Sequence, residues 1–192
     1  MASAILNGAT ITGVTLMRIN QKLDSGPIIS SHETCIHPDE NTKELTAKLF
    51  EMGALLLVKT LPELAGDPKN HHPQNESEAT FTKRISKKDG EIDWGQGADQ
   101  ISRQIKAYTP WPGSFTKWRN KLLKIIEASA SPIPTVPHTP PGLVVSLPET
   151  EIGIMTGDGT LKITQLQLSG KRVTSAKDFQ SGYPEFIGSN VR

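Results

Sequence analysis

Residues 66–80, GDPKNHHPQNESEAT, constrain this chain more than any other stretch. They are polar, broken by proline and glycine, and show no apolar period, so neither a helix nor a strand can run through them. The 192 residues are therefore read as two units, 1–65 and 83–185, joined by a connection over 66–82. Charge changes sign at the same place. Residues 1–82 carry six Lys and Arg against ten Asp and Glu, a net −4, and residues 83–192 carry fifteen against ten, a net +5. The second unit is thus the side suited to a polyanion, although a balance of this size also describes an ordinary solvated basic face.

In the first unit, GVTLMRIN (13–20) reads as a strand with Thr15, Met17 and Ile19 on one side and Val14 and Leu16 on the other. Apolar residues on both faces ask for cover on both sides. LDSGPII (23–29) turns the chain, with Gly supplying positive φ, and PIISSHETCI (27–36) reads as a second strand. Asn41 and Glu44 form a capping-box start for a helix whose Leu45, Leu49, Met52 and Leu56 share one face; Pro62 is expected to kink or end it, with Gly66 as terminator. A hairpin and one helix are marginal alone. The pattern is that of the tail end of a larger α/β sheet.

The second unit has a different pattern. ADQISRQIKAY (98–108) predicts a short helix with Ala98, Ile101 and Ile105 inward, running into the rigid turn TPWPG. The runs SFTKW, KLLKIIEA, GLVVSL, IGIM and LKITQLQL then read as five short strands, with GDG (157–159) as a hairpin turn, and this spacing predicts a small barrel. The longest apolar run, MGALLLV (52–58), is too short to span a bilayer, and the first ten residues show no targeting pattern. A single cysteine, Cys35, excludes an internal disulfide framework; it reads as a small strand residue.

Candidate chemistry is sparse. Read locally, Asp24 is a turn-former, and a lone carboxylate is no mechanism without a second group in hydrogen-bond reach. His32, His37, His71, His72 and His138 form no pair with metal-ligand spacing, so no metal site is expected. TGDGTL (156–161) lacks the Lys-Ser/Thr of a phosphate loop. Of the three tryptophans, Trp94 and Trp111 are expected in the core, and Trp118, flanked by Lys117 and Arg119, on the surface as a platform for unpaired bases. Lys83, Arg84, Lys87 and Lys88 lead into the second unit; Lys117, Arg119, Lys121, Lys124, Lys171 and Arg172 lie on it, and on a shared face would form a salt-sensitive phosphate track.

ISKKDGEIDW (85–94), YTPWPGSF (108–115) and TGDGTLKITQLQLSGKR (156–172) closely resemble the C-terminal domain of the methionyl-tRNA formyltransferase family. ILNGATITGVTLMRINQKLDSGPII resembles the last part of that family's N-terminal formyltransferase domain. The resemblance implies an α/β remnant, a β-hairpin plus long helix from a Rossmann-like domain, followed by an OB-like β-barrel that helps hold tRNA. It implies formyl transfer from 10-formyltetrahydrofolate to the amino group of methionyl initiator tRNA, with no metal.

Within the resemblance Asp24 matches the catalytic aspartate of the LDxG stretch, which works with an Asn and a His from earlier in the domain. The Asn-x-His segment and the Ser-Leu-Leu-Pro folate loop both precede the ILNG stretch in the family. These 192 residues hold no counterpart of either, so no folate-binding residue is identified and the chain alone is expected to be inactive. Lys117, Arg119, Lys121, Lys171 and Arg172 are the candidate tRNA contacts. Ala9 and Ile11 stand where the family often has acidic residues, and YTPWPG replaces the usual Phe-Asn-Pro-Trp-Pro-Gly. A monomer in the bacterial cytoplasm is expected, with no membrane partner; an organellar matrix is the alternative location. Two other readings stay open: a sugar-amine (nucleotide-sugar) formyltransferase, and a non-enzymatic tRNA-binding OB module.

Overall fold

Strand β1 (Ile11–Met17) pairs antiparallel with β2 (Ile28–Cys35), and a short helix α1 (Ala2–Leu6) precedes them. The computed structural model describes residues 1–65, 72–132, 139–148 and 151–192. Helix α2 (Thr42–Ala65) begins at the expected capping box: the Asn41 side chain accepts from the Glu44 amide at 3.1 Å, and the Glu44 carboxylate accepts from the Asn41 amide at 3.0 Å. The helix is not ended by Pro62, which lies inside it. A proline removes one intrahelical bond, and among the described residues the helix runs on for three more, to Ala65. Leu45 and Leu49 are buried, while Met52 and Leu56 are half-buried.

Residues 98–107 form helix α3 (Ala98–Ala107), with Ala98, Ile101 and Ile105 buried as the spacing predicts. The sheet that follows comprises β3 (Ser114–Trp118), β4 (Lys121–Ser131), β5 (Val144–Ser146), β6 (Ile152–Met155), β7 (Thr160–Leu168) and β8 (Thr174–Ser175). Its order is β3-β4-β7-β6-β5, all antiparallel, with β8 paired to β7 beyond the end of β6. The edge strands β3 and β5 are joined through the C-terminal residues. Val144 donates to the Ser189 carbonyl and accepts from the Gly188 amide, the Gly142 carbonyl accepts from the Val191 amide, and Lys117 exchanges two bonds with Arg192, at 2.7 and 3.0 Å. The sheet thus curls into a ring that the chain's last residues complete. A short helix α4 (Ala176–Gly182), without a counterpart in the sequence reading, covers one end.

The core corrects the expectation for the tryptophans. Trp94 is buried, its indole N–H donating to Thr116 at 3.0 Å. Trp118 is also buried, at 3% exposure, whereas Trp111 is 59% exposed. The Trp118 ring meets Phe179, Tyr183 and Phe186 edge-on at centroid distances of 5.8, 5.5 and 5.2 Å, and its N–H donates to Ser189 at 2.9 Å. On a strand, neighbours point to opposite faces, so the charged residues flanking Trp118 send it inward.

A second apolar cluster joins the two parts of the chain. Ile5 of α1 and Leu45 and Leu49 of α2 pack with Ala107 and Tyr108 at the end of α3. Polar bonds reinforce the contact: the Thr42 hydroxyl donates to the Ala107 carbonyl at 2.6 Å, and the Lys106 ammonium to the Pro38 carbonyl at 2.7 Å. Tyr108 titrates above the ordinary phenol range, because burial disfavours the phenolate and the nearby Asp89 charge adds to it.

Candidate functional site

Asp24 sits in the ten-residue loop between β1 and β2. The loop closes on itself where the Arg18 amide donates to the Pro27 carbonyl at 3.0 Å. Asn20, rather than Asp24, supplies the side-chain turn bonds: its oxygen accepts from the Lys22 amide and the Ser25 hydroxyl, each at 3.1 Å. The backbone also differs from the sequence reading. Asp24 itself takes the left-handed conformation, φ 52°, which costs a non-glycine residue about 1 kcal/mol and which Asp tolerates better than most. Gly26 has no positive φ; it is needed because a Cβ there would collide with the Arg18 carbonyl oxygen.

This arrangement presents the Asp24 carboxylate to solvent over an open groove of ≈ 390 Å³ lined by residues 17–26. Among the described residues it accepts no hydrogen bond and joins no ion pair. A carboxylate held this way can accept a bond from an imidazole or take a proton from an attacking amine.

Sequence reasoning missed the residues that hold the loop. From His72 the chain runs back along it: His72 and Ile28 exchange backbone bonds at 2.8 and 3.0 Å. Two residues on, the Gln74 amide nitrogen donates to the Asp24 carbonyl at 3.0 Å and the Gly26 carbonyl at 2.7 Å. Two further, Glu76 pairs with Lys22 at 2.8 Å. The spacing of two along HPQNE is that of an extended segment, the one local signal available.

The five basic candidates gather at one end of the sheet. Arg119 and Asn120, φ 50° and 60°, form the tight β3–β4 turn, a geometry that matches strand twist. Lys117 and Lys121 flank it, and the Ser169 amide bonds the Leu122 carbonyl at 2.8 Å, bringing Lys171 and Arg172 to the same end. Four of the five line two grooves, and Lys121 lines neither of these. Lys117 and Arg119 line one of ≈ 450 Å³ with Arg192, Asn190 and Glu91; Lys171 and Arg172 line one of ≈ 210 Å³ with Asp178 and Tyr183. Arg119 is already engaged, bonded to Glu185 at 2.7 Å with its guanidinium 4.9 Å from the Trp118 ring centre.

His32, His37 and His72 are exposed, and His71 and His138 lie outside the described residues. Among the described residues no group of three His, Cys, Asp or Glu side chains could hold a metal ion, and no helix is long and apolar enough to cross a membrane.

The structure thus has two parts, a hairpin whose loop presents a solvent-facing aspartate and a curled antiparallel sheet with a basic end, joined through the cluster of Ile5, Leu45, Leu49, Ala107 and Tyr108. The chain belongs to the formyl transferase family: residues 84–184 match the formyl transferase C-terminal domain and residues 1–61 match the formyl transferase domain. It is similar to the methionyl-tRNA formyltransferase of Roseiflexus castenholzii, 43% identical over 184 residues, which are 95% of this chain and 58% of that protein. The chain spans a little over half the length of such relatives, 55–59%. In fold it is similar to HypX of Aquifex aeolicus, solved with tetrahydrofolic acid, at TM-score 0.68 and 19% identity over 97% of this chain and 33% of that one. It is also similar to the N-formyltransferase of Helicobacter canadensis, solved with folinic acid and dTDP-3-aminofucose, at TM-score 0.65 and 20% identity over 84% and 58%.

Proposed function

We propose that these residues are the part of a methionyl-tRNA formyltransferase that carries the catalytic Asp24 and the tRNA-holding unit. The observation that carries the reading is the Asp24 carboxylate, turned into an open groove and free of described protein partners, in a chain 43% identical to a protein of that name. On this reading residues 1–65 end the catalytic unit, 66–82 connect, and 83–185 form an OB-like barrel whose ring is completed by the C-terminal residues. The protein acts as a monomer in the bacterial cytoplasm.

The chemistry assigned to the site is acyl transfer. The amine of methionyl initiator tRNA attacks the formyl carbon of 10-formyltetrahydrofolate and loses a proton; the carbon–N10 bond breaks, and N10 leaves protonated. Asp24 orients a histidine and helps move that proton, while an asparagine stabilises the oxyanion. The loop residues fit one wall of such a site, the groove beneath Asp24, and the asparagine, histidine and folate loop come from residues outside these 192. The 192 residues alone are therefore expected to give no turnover.

The test joins the 192 residues behind the N-terminal portion of the Roseiflexus relative and measures formyl-methionyl-tRNA. The fusion should turn over, and Asp24→Asn should lower kcat about 10²–10⁴-fold. Full turnover by Asp24→Asn would sink the assignment, and turnover by the 192 residues alone would show that nothing further is required. For the basic end, Lys117→Glu with Lys171→Glu should weaken tRNA binding and flatten its dependence on salt.

The similarity to the Helicobacter enzyme, solved with an amino sugar nucleotide, supports a second reading as a sugar-amine formyltransferase. The net +5 of residues 83–192 favours tRNA, since a nucleotide-sugar has no need of a basic barrel. Offering both acceptors to the fusion separates the two.

A further inference from the structure

We propose that Gln74 is a positioning residue for Asp24, a role that rests on the reading of Asp24 as the acid–base group. The Asp24 backbone sets the direction of its Cα–Cβ bond, from which the carboxylate swings, and among the described residues no side-chain bond holds the carboxylate itself. That backbone is left-handed at a non-glycine residue, so something outside the residue must select it. Gln74 Nε2 is placed to do so. It donates to the carbonyls on both sides of Ser25, those of Asp24 and Gly26, at 3.0 and 2.7 Å. A primary amide has two N–H groups, enough for the two carbonyls, and the weaker acceptor Met17 Sδ lies 3.6 Å from the same nitrogen.

Turning Asp24 to a right-handed or extended conformation would swing its carbonyl off the amide and carry the carboxylate out of its direction. The strand-like exchange between His72 and Ile28 aligns Gln74 from one side, and the exposed Lys22–Glu76 pair adds little. Gln74 thus fixes the loop in one state without touching the reacting atoms.

Gln74→Glu keeps the shape but removes both donors and sets carboxylate oxygens against two carbonyl oxygens; Gln74→Ala removes the side chain without repulsion. In the 192-residue chain, NMR should show the amide–Hα coupling of Asp24 leaving its left-handed value in both variants, with faster exchange of the Arg18 amide. The indole signals of Trp94 and Trp118 should stay in place, reporting an intact fold. In the fusion, Gln74→Glu should lower kcat on the order of tenfold to a hundredfold with the donor KM little changed, and should lower it no further when Asp24 is already Asn. An unchanged Asp24 coupling, or an equal kcat loss in the Asp24→Asn background, would overturn the proposal. Full turnover by Asp24→Asn alone would instead remove the reading of Asp24, whatever Gln74 does.

Discussion

The sheet unit and the Asp24 unit reach order by different means. The sheet unit curls its strands over an aromatic cluster in which Trp118, Phe179 and Phe186 are all buried. The Asp24 unit shares only a small apolar cluster with α3 and leaves Phe50, Leu55, Val58 and Leu61 of α2 exposed. Its loop is held by hydrogen bonds to backbone carbonyls rather than by burial. Apolar burial is non-directional and spread over many contacts, whereas each polar bond fixes one orientation. Stability is therefore concentrated in one unit and positioning in the other.

The comparison breaks most visibly at Trp118. Trp118→Ala removes the ring at the centre of the cluster and leaves Ser189 without its indole donor, so it should cost about 3–5 kcal/mol. Urea unfolding followed by near-ultraviolet circular dichroism measures it. A loss below about 1 kcal/mol would mean that the three neighbouring rings close the gap.

Leu45→Ala strikes the cluster that ties the units together. Leu45 is fully buried, and its truncation should cost about 2–5 kcal/mol. The loss should fall unevenly: amides of α1 and α2 exchange early while those of β4 and β7 keep their protection. A single cooperative loss across all elements would show that the units do not differ in stability.

How much of this was legible in sequence follows the range of the interaction. The start of α2 could be read because Asn41 and Glu44 meet within one turn, and α3 because Ala98, Ile101 and Ile105 repeat at helical spacing. Helix α4 could not: among its seven residues only Ala176 and Phe179 are buried, too few to set a period. Trp118 was misread through its charged neighbours, although strand alternation makes those neighbours a sign of burial. The Asp24 turn was placed correctly, but its conformation depends on Gln74, fifty residues away, and on the carbonyl of Arg18 against Gly26. Contacts of that range leave no local trace.

A smaller effect separates a built polar clamp from a surface pair within the sheet unit's entry. Asp89 caps the turn Lys87–Gly90, accepting from Lys83 at 2.8 Å and from the Ser86 hydroxyl and amide at 2.7 Å each. Lys83 first, then Ser86, holds its carboxyl well below the usual carboxylate range. The unfolded value is about 3.9. With the folded value lower, the stabilisation is complete above that pH and is lost as pH falls through the folded value. Asp89→Asn should lower the melting temperature at neutral pH and converge on the unchanged chain as acid is added. Melting curves that stay parallel down to pH ~2 would remove Asp89 as the source.

The smallest effect is expected at Lys22 and Glu76, which form the third contact between residues 72–78 and the Asp24 loop. Each raises the charged population of the other, Lys22 upward and Glu76 downward from their ordinary values, first through the hydrogen bond and then through charge. Yet their side chains are 71% and 74% exposed, so water and salt screen the attraction and two long side chains must be ordered to make it. Lys22→Met should leave both the melting temperature and the Asp24 backbone coupling unchanged, at low salt and at high. Loss of that coupling in Lys22→Met would transfer the clamp from the Gln74 amide to the ion pair. The loop would then be held by charge, and its order would fade with salt, which two neutral hydrogen bonds to carbonyls do not allow.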